Sequence, residues 1–265
     1  MTSPSALAHL LDAGPVMRVE LVEVLGSSPR DAGAVMYIGA RACLGTIGGG
    51  QLEYMAIDQA RAMLASGAQQ GDMDVPLGPE IGQCCGGRVK VSLRLVQDGS
   101  AEFVELAEMQ ADRPTVYIFG AGHVGRALAR AMLPLPCSAL LVDNRAEELA
   151  LAADLKQSQT PLPEALIRSA KPGSAFIILT HDHALDFMLG VEALARADAT
   201  YIGMIGSATK AARFAKYARA QGQDPAGLTC PMGRKTTSKD PAVIAAMIVA
   251  ELWPALERQH AKALT

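Results

Sequence analysis

The sequence has few aromatic residues and no excess of basic ones, and both shortages narrow the range of functions. Only 4% of the 265 residues are aromatic, which argues against rings that stack on single-stranded nucleic acid. The 24 basic residues are set against 27 acidic ones, for a net charge of −3. We therefore expect neither a nucleic-acid partner nor an anionic membrane surface.

Long apolar runs are also missing. No segment approaches the roughly 20 apolar residues of a membrane-spanning helix, and the N-terminal MTSPSALAHLLDAG lacks the pattern of a signal peptide. We expect a cytoplasmic protein whose five cysteines are mostly reduced. No C-x-x-C spacing occurs, so neither structural zinc nor an iron–sulfur cluster is favoured. Cys43 and Cys137 lie in or beside predicted strands and are expected in the core.

What the chain does have is apolar material and clustered glycine. Half of the residues are hydrophobic, enough for one large or two modest domains. A polar step that ends in proline, at 111–114, predicts a boundary, with domains 1–111 and 112–265. In the first, strands at 16–25, 34–40, 43–47 and 88–96 and helices at 51–66 and 101–109 predict a small α+β domain.

The second domain has a different pattern. Short apolar runs alternate with helical segments, with strands predicted at 115–119, 139–142, 175–179 and 200–205 and helices at 124–132, 163–170, 185–196, 209–220 and 241–256. This alternation predicts an α/β fold, a Rossmann-like doubly wound parallel sheet with helices on both faces.

A glycine fingerprint follows the first strand of that domain. Gly120, Gly122 and Gly125 fit G-x-G-x-x-G between a strand and a helix, where backbone N–H groups can hold phosphates. Asp143 ends the next strand, where an acid can bind ribose hydroxyls. The residues that follow from this pattern as candidates for binding a cofactor, NAD(P) included, are Gly120, Gly122, His123, Gly125, Asp143 and Arg145. A solvated strand end and a surface histidine remain the alternatives.

A pair of adjacent cysteines, Cys84 and Cys85, lies among glycines at 82–87. The glycines predict an irregular loop that can present both thiols to one ligand, and thiolates suit soft metals. The alternative is structural, with one thiol packed and one exposed. A second glycine-rich turn at 45–50 leads into a helix whose first turn holds Glu53, and it is either another anion cradle or a tight strand-to-helix connection.

Taken in order along most of the chain, these motifs resemble the XdhC/CoxI family of xanthine dehydrogenase accessory proteins. The blocks that carry the resemblance are 26–36, 45–53, 78–87, 118–125, 142–145, 180–183, 201–207 and 230–233. In this chain Ala208 stands where the family often has a basic residue after Ser207, which leaves Lys210 and Arg213 for any phosphate there.

The resemblance implies a cofactor chaperone without turnover of its own. Such proteins bind the molybdenum cofactor, in its molybdopterin or dinucleotide form, hold it during sulfuration and deliver it to xanthine dehydrogenase or a related molybdenum hydroxylase. A cysteine desulfurase supplies the sulfur, and we expect a homo-oligomer. The competing hypothesis is an NAD(P)-dependent oxidoreductase.

With this resemblance, further residues become candidate contacts. Cys84 and Cys85 would approach the metal through the cofactor. His181, His183 and Ser207 follow strands whose carboxyl ends should face the ligand. The His181-Asp182-His183 run can alternatively bind a metal or cap the next helix.

Overall fold

The computed structural model describes residues 2–79, 86–233 and 237–263. The chain divides into two compact units, Met1–Ala111 and Asp112–Thr265. None of the described helices combines the length and apolarity needed to cross a bilayer.

The first unit is built on an antiparallel sheet flanked by helices, which confirms the α+β prediction. Its elements are α1 (Pro4–Asp12), β1 (Val16–Leu25), β2 (Val35–Ile38), β3 (Cys43–Gly45), α2 (Gly50–Ser66), β4 (Gln70–Pro76), β5 (Arg88–Val96) and α3 (Ser100–Ala111). The strand order is β3-β2-β1-β5-β4. Strand β4 was not predicted because its sequence, QGDMDVP, holds residues that are depleted in strands; it lies at an edge, where they are tolerated.

Successive side chains of β1 point to opposite faces of the sheet and so contribute to two separate core clusters of this unit. Met17, Val19 and Leu21 pack on one face with residues of α2 such as Leu52. Val16 packs on the other face with residues of α1 and α3. Because side chains alternate along a strand, this single segment fixes which helix covers which face.

The second unit contains the doubly wound parallel sheet predicted from the sequence. Its elements are β6 (Thr115–Phe119), α4 (His123–Met132), β7 (Ser138–Asp143), α5 (Ala146–Ala150), β8 (Gln157–Gln159), α6 (Pro163–Ser169), β9 (Ala175–Ile178), α7 (His183–Ala195), β10 (Tyr201–Met204), α8 (Ala208–Ala220) and α9 (Pro241–Ala263). The strand order is β10-β9-β6-β7-β8, and all neighbours are parallel. The sequence did not predict α5 and β8, which are too short to show a clear hydrophobic period.

Helices cover both faces of this sheet. Side chains from α4 and α9 meet one face in a cluster that includes Leu128 and Ile248. Side chains from α6, α7 and α8 meet the other face in a cluster that includes Leu189 and Phe214. The strand order reverses between β6 and β9, and ligands of open α/β sheets bind at such a reversal, beyond the carboxyl ends of the strands.

Candidate functional site

The glycine loop after β6 lies at this reversal, and its three glycines meet different surroundings. A Cβ at Gly120 would overlap the Leu179 carbonyl at a φ of +119°, and one at Gly125 would overlap the Gly120 carbonyl. Both positions therefore require glycine. A Cβ at Gly122 would meet nothing within 4 Å, so the backbone is open to a ligand there, at the N-cap of α4.

The start of α4 supplies donors to that open face. The first N–H groups of a helix have no acceptor within the helix, and together with the helix dipole they attract anions. His123 is the first residue of α4 and its side chain is exposed. This arrangement brings Gly120, Gly122, His123 and Gly125 together as the sequence predicts, in a geometry that suits a phosphate.

Asp143, at the end of β7, is bound internally. Its Oδ2 accepts a hydrogen bond of 2.7 Å from the N–H of Ala121. The Arg145 side chain binds both oxygens, with Nε 3.0 Å from Oδ1 and a terminal nitrogen 2.9 Å from Oδ2. Burial alone would raise the pKa of the Asp143 carboxyl, but these donors together lower it below its ordinary value. The predicted contacts of Asp143 and Arg145 with a cofactor stay predictions.

Two residues that the sequence did not point to, Arg126 and Glu148, stabilise the backbone of the glycine loop after β6. Arg126, on the buried side of α4, donates to the Ala121 carbonyl at 2.5 Å. It also pairs with Glu148 of α5, which lies 3.6 Å from Arg145. The only available signal was an arginine on an otherwise apolar helix face. The backbone at Ala121 is therefore held at its N–H by Asp143 and at its C=O by Arg126.

A narrow cleft opens beside this loop, between the ends of β6, β7 and β9. The residues that line it are Phe119, Gly120, Val142, Asp143, Asn144, Pro161, Pro163, Thr180, His181 and Leu185. Apolar walls with a few polar groups are typical of ligand sites. Three predicted site residues therefore line the cleft: Gly120, Asp143 and, from the loop after β9, His181.

Asp182 caps α7, which confirms one alternative for the His181-Asp182-His183 run. Its Oδ1 accepts from the Ala184 N–H at 2.7 Å and the Leu185 N–H at 3.5 Å. His181 and His183 are exposed on either side of the cap. Within the described parts of the chain, no group of three or more His, Cys, Asp or Glu side chains is arranged to hold a metal ion.

Ser207 is the N-cap of α8, where its Oγ accepts the Lys210 N–H at 3.2 Å. Lys210 itself is buried and pairs with Asp186 of α7, which is fully buried. Its Nζ also donates to the Ile205 carbonyl at 3.0 Å. The expectation that Lys210 binds phosphate is therefore wrong for this structure, because its charge is already compensated inside the unit.

Asp186 also positions the strand end that carries His181. Its Oδ1 accepts from the Thr180 N–H at 3.0 Å and from the Thr180 hydroxyl at 2.7 Å. The loop after β9 is therefore attached to α7, and through Lys210 to α8. No sequence signal marked this acid, which lies in an apolar helix.

In the first unit, the structure gathers motifs that are far apart in the sequence. A Cβ at Gly87 would overlap the carbonyl oxygen of Ser27, and a Cβ at Gly48 would lie 2.9 Å from Cβ of Pro29. The turn at 26–30 therefore contacts both the glycine-rich turn at 45–50 and the segment at 86–87. Cys84 and Cys85 immediately precede this segment and lie outside the described residues.

The glycine-rich turn at 45–50 already holds an anion, the carboxylate of Glu53. Its Oε1 accepts from the N–H groups of Ile47 and Gly48 at 3.0 and 3.2 Å, and from the Thr46 hydroxyl. Burial alone would raise the pKa of the Glu53 carboxyl, but these hydrogen bonds together lower it. The glycines therefore form the strand-to-helix connection, with the predicted cradle filled by the chain itself.

The remaining cysteines differ in exposure. Cys137 is buried as predicted, and burial raises the pKa of its thiol to about 11. Cys43 is exposed, so its predicted core position is wrong; it lies on the short edge strand β3. Cys230 is half-buried and burial raises the pKa of its thiol.

Comparison with known proteins places both units in one family. Residues 116–252 match the family model of the XdhC Rossmann domain, and residues 10–74 match the model of the XdhC and CoxI family. The chain belongs to the XdhC and CoxI family. The resemblance that the motifs carry is thereby confirmed, and the Rossmann model spans the glycine loop, His181 and Ser207.

The chain is also similar to a protein of Escherichia coli and to a solved structure from Bacillus halodurans. The uncharacterized protein YqeB of Escherichia coli is 25% identical over 251 residues, which are 90% of this chain and 43% of YqeB. The chain therefore spans less than half the length of that relative. A crystal structure from Bacillus halodurans, described as a xanthine dehydrogenase, superposes with a TM-score of 0.81. The match covers 97% of this chain and 96% of the Bacillus halodurans chain at 18% sequence identity, and so shows the same fold.

Proposed function

We propose that this chain binds the molybdenum cofactor, holds it during sulfuration and delivers it to xanthine dehydrogenase or a related molybdenum hydroxylase. Family membership indicates an accessory role in maturing such enzymes. The observation that carries the finer proposal is the open backbone face at Gly122, the N-cap of α4, two residues after Gly120 in the lining of the His181 cleft.

The residues at this face fit the polar end of the cofactor. The cofactor, when bound, supplies a metal dithiolene on a pterin that carries a phosphate. The phosphate fits the loop because a dianion gains from the N–H donors and dipole of α4. Exposed donors at His123, His181, His183 and Ser207 lie at carboxyl ends of strands and can orient the remaining polar groups.

Cys84 and Cys85 complete the proposal as soft ligands that approach the metal through the cofactor. Serine is close to cysteine in size but lacks the soft sulfur donor. We expect Cys84→Ser and Cys85→Ser to keep the melting temperature and lose bound pterin, and the double variant to lose most. Cys43→Ser is the matched control, because Cys43 is exposed in the same unit. Full pterin retention by the double variant would contradict the assignment.

The decisive experiment is purification from cells that make the cofactor, followed by assays for pterin and molybdenum. We expect both to accompany the wild-type chain and to be lost in Gly122→Asp, which adds bulk and like charge at the open face. Ala212→Asp is the control, since it adds the same charge at an exposed position of α8 that does not line the cleft. Equal loss in both variants, or no pterin with wild type, would refute the site.

The same preparation tests the proposed partners and the competing hypothesis. A pull-down from native lysate should recover a cysteine desulfurase and a molybdenum hydroxylase. Recovery of neither, together with oxidation of NADH or NADPH by the purified chain, would favour the oxidoreductase instead.

A further inference from the structure

The carboxylate of Asp143 has no acceptor capacity left for a ligand. An ionised carboxylate offers about four lone-pair positions. Here Oδ1 accepts from the N–H and the Nε of Arg145, both at 3.0 Å. Oδ2 accepts from the Ala121 N–H at 2.7 Å and from a terminal nitrogen of Arg145 at 2.9 Å. The side chain is only 4% exposed.

Arg145 is similarly engaged and is not a free cation. Besides the two-pronged pair with Asp143, it faces Glu148 at 3.6 Å. Its side chain is 26% exposed, so one edge reaches solvent while the charge is balanced by two carboxylates. Such a guanidinium attracts an additional phosphate far less than an unpaired one does.

This pairing matters because of where Asp143 lies. In dinucleotide-binding sheets, the acid at the end of the second strand accepts hydrogen bonds from the adenosine ribose, or an arginine nearby binds its 2′-phosphate. Asp143 and Arg145 occupy those places but satisfy each other. A ribose hydroxyl that entered would find no free acceptor at Asp143, and leaving such a group unpaired is costly.

We propose that Arg145 is a specificity-determining residue that excludes adenine dinucleotides from the glycine loop. The loop then accepts a phosphate monoester, whose contacts at Gly122 and α4 require nothing from Asp143. This inference rests on the proposed function and narrows it: the cofactor form without a nucleotide is the one that fits.

The test replaces Arg145 and measures whether the chain gains affinity for NADH. In Arg145→Ala, Asp143 keeps only backbone donors and can accept from a ribose. We expect NADH fluorescence titrations to show at least tenfold tighter binding to Arg145→Ala than to wild type, with ADP-ribose competing. Arg145→Lys keeps the charge but not the two-pronged geometry, and it should fall between them.

Arg130→Ala is the matched control. Arg130 forms a similar ion pair with Asp154, with an N–O distance of 2.8 Å, and neither residue lines the cleft. It should bind NADH as weakly as wild type. Micromolar NADH binding by wild type, or no gain in either folded Arg145 variant, would overturn the proposal. Pterin retention by wild type is measured in parallel, and its failure would refute the proposed function while leaving the NADH comparison intact.

Discussion

Alanine at Gly125 should lower the stability of the second unit, whereas alanine at Gly122 should weaken pterin binding and leave stability nearly unchanged. Alanine at Gly125 places a Cβ on the Gly120 carbonyl and 3.0 Å from Cδ1 of Leu179. Overpacking costs about 1–3 kcal/mol, and overlap with backbone calls for the upper end. Alanine in a helix recovers about 1 kcal/mol. The net loss is about 2 kcal/mol, which lowers the melting temperature by roughly 4–8 °C in a unit of this size.

Alanine at Gly122 should leave stability nearly unchanged. Its φ of −65° and ψ of −175° suit any residue, and the added Cβ meets open space. The entropy gained by replacing glycine, about 0.4–1 kcal/mol, offsets a cap that is weaker by a similar amount. The Cβ should instead obstruct a phosphate. Loss of one charge-assisted hydrogen bond, about 1.5–3 kcal/mol, weakens pterin binding by about tenfold or more.

The single tryptophan makes the assay specific for the second unit. Trp253 lies in α9 and packs against the core cluster of that unit, so its fluorescence during heating reports this unit's unfolding. Pterin binding to the same preparations supplies the second measurement. Wild-type melting of Gly125→Ala would refute the close approach, and wild-type affinity of Gly122→Ala would refute a phosphate at the loop.

Three further predictions concern buried and titrating groups. Asp186→Ala leaves Lys210 buried without its partner, which should lower the free energy of unfolding by about 3–5 kcal/mol in denaturant titrations. Adding Lys210→Met should restore much of this stability, and a double variant as unstable as Asp186→Ala would contradict the pair. Iodoacetamide at pH 8 should modify Cys43 well before Cys137, whose thiol is buried with a raised pKa; equal rates on peptide mapping would contradict this. Because the pKa of Asp143 is lowered, its ionised form stabilises the fold above the ordinary pKa of about 3.9, and this contribution disappears as pH falls through the folded value. The stability gap between wild type and Asp143→Asn should therefore shrink from pH 6 to pH 3, whereas a constant gap would refute it.

The sequence predicted those parts of the fold that rest on local pattern. Alternation in β5 and the strand–helix order after residue 114 predict both sheets, because hydrophobic period reports which face is buried. The glycine loop was likewise predictable, since only glycine fits where backbone approaches backbone. Strand β4 was not, because its partner β5 and its edge position outweigh a polar sequence that disfavours strands.

Side-chain partnerships were beyond the reach of the sequence. Lys210 and Asp186 lie 24 residues apart, and only the packing of α7 against α8 makes them a buried pair instead of an anion site. The other two pairings are local, since Glu53 binds the glycine turn just before it and Arg145 lies two residues after Asp143. Whether such side chains turn toward each other or toward a ligand depends on their conformation, which the residue types do not set. Residue types and spacing determined that this chain has a phosphate-suited loop on a doubly wound sheet. The tertiary structure decided which charges remain free to meet a ligand, because compensation depends on distances between elements that the order of residues does not set.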